Sequence, residues 1–286
     1  MNLHVSHKLS YQYSEAILLE PHTIYLHPKA HAHQQVKGFS MQILPTPSML
    51  VHNLDVEGNH QHLAYFNAPT DRLEVAVEME ISSQDFNVFG FVLFPFDTAK
   101  IPFHYPELKK KYVQAYLIRE GVTTYVEQYA RQTAASARWQ TVPFLTTLCQ
   151  NIYENFVYVR REEGAPLQPE VTLIEKCGSC RDFAQLFVAC CRSIGIAARF
   201  VSGYLYGNPL QAHDLHAWAE VYLPGAGWRG FDPTEGKAIV NNHIYLASSA
   251  DPALIAPVSG TFRGKARSTL AAEVNISPRT PEGGIP

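Results

Sequence analysis

Lys176-Cys177-Gly178-Ser179-Cys180-Arg181-Asp182-Phe183 leads a small, glycine-containing turn into a cysteine. Apolar residues follow at helical spacing: Phe183, Leu186, Phe187, Cys190 and Ile194. That recurrence predicts a helix that opens at Cys180, buries this face and ends near Gly195. A thiol at a helix N-terminus sits at the positive end of the macrodipole, beside unpaired backbone N–H groups, and both favour thiolate over thiol. Cys180 therefore reads as a nucleophile, provided the rest of the chain supplies a base and a group to orient it.

Downstream, three strands are predicted at 198–206, 216–223 and 228–232, with Pro224-Gly225-Ala226-Gly227 as the turn between the last two. A helix followed by an antiparallel sheet argues for an α+β fold. A turn at 224–227 sets His216 opposite about residue 235, a few positions beyond Asp232, within reach of an Asp–imidazole hydrogen bond. Pro233 ends the strand pairing there. Period two puts His216, Trp218, Glu220 and Tyr222 on one face of their strand and Ala217, Ala219, Val221 and Leu223 on the other. The small apolar face suits packing against the Cys180 helix. Each residue alone has a plainer reading: the cysteine fills core, the histidine is structural and the aspartate makes a turn. Cysteine acyl transfer, however, needs a thiol, a base and an orienting group together. The order Cys180, His216, Asp232 on helix start, strand start and strand end favours that chemistry.

Upstream, the chain reads as β to about residue 85. Leu73 to Ile81 alternates cleanly, and turn residues separate the runs. A sandwich-like antiparallel domain is expected over 1–85. Residues 86–142 hold an aromatic and proline-rich junction that either packs across two subdomains or walls a cleft, followed by helices near 107–119 and 121–137. A helix at 143–156 repeats Phe144, Leu148, Ile152 and Phe156 and starts at Pro143. The catalytic half is expected over 143–277, and 278–286 as a frayed tail.

Hydrophobic residues make up 46% of the 286 and charged residues 17%, enough apolar surface for a folded core. A net charge of -3 provides no field to recruit nucleic acid. No apolar run reaches the roughly 18 residues of a membrane span, and the N-terminus lacks the build of a signal peptide. The five cysteines are odd in number and cluster at 149, 177, 180, 190 and 191, unlike a secreted disulfide framework. A reducing, cytoplasmic compartment is expected. Cys177 and Cys180 form a CxxC without the βαβ pattern of a redox domain. Glu220 and Asp214 are expected in solvated or supporting positions near His216. His22, His27, His31 and His33 lack accompanying cysteines or paired carboxylates, so a surface loop and no metal or other cofactor are expected.

The stretches 180–187, 192–204, 216–224 and 227–234 closely resemble the core of the bacterial transglutaminase-like superfamily, whose members are papain-like cysteine enzymes. Tyr11-Gln12-Tyr13 and Leu19-Glu20-Pro21-His22 are similar to the β-rich N-terminal region fused to that core in bacteria. The resemblance implies a Cys-bearing helix packed on an antiparallel sheet, with Cys180 as nucleophile, His216 as general base and acid, and Asp232 orienting the imidazole. It also implies an oxyanion hole formed in part by the Cys180 N–H. Tyr158 is a candidate second donor, and Trp218 and Tyr158 are candidate substrate contacts. Ala197 stands where the family has proline, and Ser249-Ala250-Asp251-Pro252 replaces its Gly-Arg-Asp-Tyr segment. The expected activity is acyl transfer from a protein or peptide carboxamide through a thioester, with hydrolysis favoured. Transamidation and a non-catalytic scaffold are the alternatives.

Overall fold

The computed structural model describes residues 1–161, 164–207 and 214–279. Six strands come first: β1 (Asn2–Leu19), β2 (His22–Ile24), β3 (Gln34–Leu44), β4 (Met49–Leu54), β5 (His60–Tyr65) and β6 (Thr70–Ser83). Then follow α1 (Glu107–Val113), α2 (Thr124–Ser136), α3 (Thr141–Asn155), β7 (Val157–Tyr158), α4 (Pro169–Glu175), β8 (Cys177–Gly178) and α5 (Cys180–Ser193). A run of β9 (Ala198–Leu205), β10 (Leu215–Leu223), β11 (Gly227–Asp232), β12 (Lys237–Ala238) and β13 (His243–Ser249) comes next. The short strands β14 (Val258–Ser259) and β15 (Phe262–Arg263) lead into β16 (Ser268–Pro278). The chain is α+β, β-rich first and helix-on-sheet second.

The N-terminal region is two sheets sharing one core. One runs β15-β1-β6-β3 with β16 also on β1; the other runs β14-β2-β5-β4. The alternating pattern read in the sequence explains them: Leu3, Val5 and Leu9 of β1 and Val75, Val77 and Met79 of β6 pack inward against Ile24, Leu26 and Ala64. Tyr204, Ile244 and Leu246, from β9 and β13, join the same cluster, so this core continues into the second half.

That second half is an antiparallel sheet, β12-β11-β10-β9-β13, with α5 across it. Phe183, Leu186 and Phe187 of α5 are buried with Ala219, Val221 and Leu223 of β10, as the strand periodicity requires. The hairpin pairs Leu223 with Gly227 and Ala219 with Phe231, one residue tighter than the turn residues alone suggest.

Several boundaries differ from the sequence reading. β16 does not belong to the catalytic half: it pairs antiparallel with β1 from Leu3–Pro278 to Tyr13–Ser268. An 18-residue strand such as β1 would otherwise present a long open edge. Pro278 is thus tied into a sheet, while residues 280–286 of the expected tail lie outside the described residues. The segment expected to be helical over 107–119 leaves α geometry after Val113 and tightens into a 3-10 turn to Leu117. Gly121 has a φ of 70°, so α2 starts only at Thr124, where the Thr123 side chain accepts the Val126 N–H. The aromatic junction is a strap. Phe103 and Tyr105 are buried in the core, and the Tyr105 hydroxyl donates to Tyr222 O and accepts from Ala197 N–H, both at 2.8 Å. None of its rings belongs to the apolar cluster around Cys180.

Candidate active site

Gly178, Ser179 and Asp182 set the position of Cys180. Asp182 is fully buried, and its Oδ2 accepts the Ser179 N–H and the Ser179 hydroxyl, each at 2.8 Å. This is a helix-capping arrangement that fixes where α5 begins. Its Oδ1 takes Arg161 Nη1 at 2.6 Å and the Leu167 N–H at 2.7 Å. Burial raises the Asp182 pKa, but these hydrogen bonds outweigh it and hold the carboxyl below its usual value. A Cβ on Gly178 would meet Asp182 Cβ at 2.8 Å, so the glycine makes room for the cap. Cys180 follows as the first helical residue, 7% exposed, in a small apolar cluster with Tyr25, Ala184, Phe200, Ala217, Ala247 and Ile255.

His216 and Asp232 meet as the hairpin predicts. His216 Nε2 lies 2.6 Å from Asp232 Oδ2, both side chains essentially inaccessible to water. Burial works against a charged imidazole, but the Asp232 carboxylate and the Cys180 side chain more than offset it and push the His216 pKa up to about 10. Burial likewise works against charge on Asp232, and the His216 and His243 imidazoles overcome it, holding the carboxyl far below its ordinary range. His216 Nδ1 is buried and has no nitrogen or oxygen partner. The Cys180 side chain is among the groups that raise the imidazole pKa. With Nε2 committed to Asp232, Nδ1 is the nitrogen left for that thiol.

One residue of this site was missed. His243, at the start of β13, brings its Nε2 to 3.1 Å from the same Asp232 Oδ2. Its Nδ1 accepts the Val240 N–H, so its proton stays on Nε2 and points at the carboxylate. The remaining oxygen, Oδ1, accepts the Thr234 N–H at 2.9 Å. Asp232 is thereby held from three sides. Only the position of His243 at the head of an apolar strand hinted at it, and no spacing links it to the motif. His216, Asp232 and His243 have the proximity of a metal-ligand group, but both Nε2 atoms are already turned to Asp232. Tyr25 was missed too, because it comes from the N-terminal region, where no local pattern points to Cys180.

Other candidates fare differently. Tyr158 packs against the Cys180 cluster: β7 pairs with β8, and the Tyr158 hydroxyl is buried without a partner. Burial and the nearby Cys180 raise its pKa. Trp218 is not a substrate contact. It is fully buried, packing on Val201, Ile239 and Tyr245, with its ring 6.2 Å from that of His216. On the face it shares with His216, Ile239, Tyr245 and Phe86 close over Trp218, and His31 reaches Glu220 at 3.9 Å. Glu220 is not solvated but buried in an ion pair with Arg199 at 2.7 Å, while Asp214 pairs with Arg160 at 3.3 Å. Cys177 and Cys180 are free thiols, as are the other three cysteines. His22, His31 and His33 do not converge. His22 bonds Glu20 O, His31 stacks on Tyr245 and His33 on Phe86.

Gly203 lies opposite His216 in the sheet, and a Cβ there would meet Ile244 O at 2.0 Å and Trp218 Cη2 at 2.6 Å. Gly203→Ala must move β13 or the tryptophan. It is expected to cost about 3 kcal/mol, the upper end for overpacking, read as a lowered urea midpoint with an unchanged m-value.

The comparisons agree with this architecture. Residues 127–233 match the model of the transglutaminase-like superfamily core, and residues 3–82 match that of the bacterial transglutaminase-like N-terminal region. An uncharacterized protein of Mycobacterium tuberculosis is 26% identical over 96% of this chain and 92% of its own length. Human peptide-N(4)-(N-acetyl-beta-glucosaminyl)asparagine amidase is 39% identical over only 56 residues, 20% of this chain and 7% of that protein. The solved structure of a proposed cysteine protease from Cytophaga hutchinsonii superposes with a TM-score of 0.73 at 20% identity, covering 99% of this chain and 92% of that one. At that identity the match speaks for the fold.

Proposed function

We propose, for a chain that belongs to the transglutaminase-like superfamily and carries the bacterial transglutaminase-like N-terminal region, a cysteine-dependent hydrolase of peptide or side-chain carboxamide bonds. The observation that carries this reading is the buried His216–Asp232 pair at 2.6 Å, with the second imidazole nitrogen left for the Cys180 thiol. His216 holds the proton of the Cys180 thiol as an imidazolium stabilised by Asp232, leaving the sulfur as a thiolate. The Cys180 sulfur attacks the carbonyl carbon, placing negative charge on oxygen. The Cys180 N–H, one of the unpaired donors of the first helical turn, stabilises that charge, and the Tyr158 hydroxyl is the second donor we assign. His216 returns its proton to the nitrogen as the C–N bond breaks, releasing an amine and leaving a thioester. Water then attacks the thioester with His216 again as base. The carboxylate product departs and the thiol is restored.

An amine in place of water would give transamidation with the same three groups. The brief similarity to an amidase favours water. Protein or peptide substrates are proposed because the family chemistry acts on amides. The free thiols suit a reducing compartment, and the cytoplasm is our proposal for location. No helix among the described residues is long and apolar enough to cross a membrane.

Intact mass spectrometry after incubation with a peptide library, with and without an added primary amine, tests the reading. Cleaved or deamidated peptides from wild type, absent with Cys180→Ala, are expected. Amine-linked products in excess of hydrolysed ones would replace hydrolysis by transamidation. The absence of any product, together with no preferential alkylation of Cys180, would favour a scaffold.

A further inference from the structure

His27, which the sequence groups with His31 and His33, turns instead toward the hairpin of β4 and β5. There His27, His52 and His60 each offer a ring nitrogen, all within 4.8 Å of one another. His52 Nε2 and His60 Nδ1 are already 2.9 Å apart. The His27 ring stands 4.0 Å from that of His60 between centroids. Its Nδ1 faces Pro28 O at 2.9 Å and must donate there, which leaves the lone pair on Nε2. A carbonyl fixing the tautomer in this way is the usual support of a metal-bound histidine. Beneath them lies His62, 7% exposed, stacked on His52 at 4.4 Å, with a buried Nδ1 that has no partner. A fourth imidazole with an unsatisfied nitrogen is costly unless something is there to meet it.

We propose that these imidazoles form a binding site for a divalent late first-row cation of the zinc class, with His27, His52 and His60 as ligands. The donor set is all nitrogen, which suits zinc or cobalt and not calcium or magnesium. In a tetrahedral site with Zn–N near 2.0–2.1 Å the ligand nitrogens stand about 3.3 Å apart. The distances here, 2.9 Å and up to 4.8 Å, bracket that value, so side-chain adjustments are enough. Whichever of His52 and His60 donates in their mutual hydrogen bond moves its proton to its other ring nitrogen, and no ligand needs to lose a charge. His52 is exposed, leaving an entry path and room for water as a fourth ligand.

The three ligands come from three chain segments, so an ion here clamps the hairpin. The tip of that hairpin docks on β13. Asn59 exchanges two hydrogen bonds with the Ser248 backbone, at 2.9 and 3.0 Å, and Glu57 Oε1 accepts the Ala250 N–H at 3.0 Å. Metal binding is therefore expected to stabilise the contact between the N-terminal region and the strand that carries His243.

The test uses the full chain with ZnCl2 in competition with a chromophoric chelator, and CoCl2 for the visible spectrum. Wild type should bind one zinc ion, and its thermal midpoint should rise with added zinc. His52→Ala, at an exposed position, should weaken binding at least about tenfold, the lower bound for losing even an outer partner. His60→Gln should do likewise, and both should lose the zinc-dependent rise. The cobalt spectrum should lack a thiolate charge-transfer band. Zinc affinity in wild type no greater than in the His52→Ala/His60→Ala double variant overturns the site, as does a cobalt spectrum with thiolate ligation. In either case the imidazoles are a stacked packing cluster.

Discussion

Cys180→Ala, His216→Ala and the double variant are expected to lose acyl-transfer activity to one common floor, about 10⁶-fold below wild type, because groups that act as a unit are not additive. Without His216 the thiol has no base and the leaving nitrogen no acid. Without Cys180 the base has no nucleophile to activate. The structure makes this a clean experiment. Cys180 lies in a small cluster outside the main core, so its truncation should leave the melting temperature almost unchanged. Alkylation with iodoacetamide reports the same coupling independently of substrate. Burial pushes the Cys149, Cys190 and Cys191 thiols well up, which removes three of the five cysteines as competitors. Cys180 should therefore label ahead of the half-buried Cys177 in wild type and lose that lead in His216→Ala. Retention of more than about 1% of wild-type kcat/KM by His216→Ala would mean that another group serves as base, contrary to the template in which it is indispensable.

Asp232→Asn is expected to lower kcat by about 10⁴, the loss that follows when the orienting carboxylate of a triad becomes an amide and the imidazole takes the wrong tautomer. Here the amide must also face two imidazole nitrogens at one position, His216 at 2.6 Å and His243 at 3.1 Å. Asp232→Ala goes further, stranding both imidazole N–H groups and the Thr234 N–H in a buried site. A stability loss of about 3–5 kcal/mol is expected for it. The pH dependence has a definite sign. The Asp232 carboxyl is held below its usual 3.8, so its contribution is present above that value and is lost as pH falls further. The His216 imidazole is raised from 6.5 to about 10, so its contribution is complete below 6.5 and is lost as pH rises through about 10. The stability difference between wild type and Asp232→Asn should therefore be largest from about pH 4 to 6.5 and decline toward pH 10. Urea titrations across that range measure it. A difference that instead grew with alkalinity would place the proton elsewhere.

Local regularities carried most of the site in the sequence. Helical spacing after Cys180 is periodic, and a hairpin turn fixes which strand ends meet, so Cys180, His216 and Asp232 could be assembled from nearby residues. The same alternation along β10 foretold which face would meet α5. It could not show that Trp218 is buried, because period two says which residues share a face and not what covers that face. The cover is Ile239, Tyr245 and Phe86, residues distant in the chain. His243 was invisible for the same reason, since its role depends on β13 lying beside β9 and not on any spacing from Asp232.

The sequence by itself determined the helix that opens at Cys180, the meeting of His216 with Asp232, and the α+β order of the chain, because each rests on contacts within one helix or one hairpin. Tertiary structure alone decided three things: that β16 returns to pair with β1, that Asp232 is shared by two imidazoles, and that His27 meets His52 and His60 rather than its neighbours His31 and His33. In each of these, residues far apart in the chain are joined by sheet pairing and burial, and periodicity, which is a property of short windows, carries no information about which distant strand will be the partner.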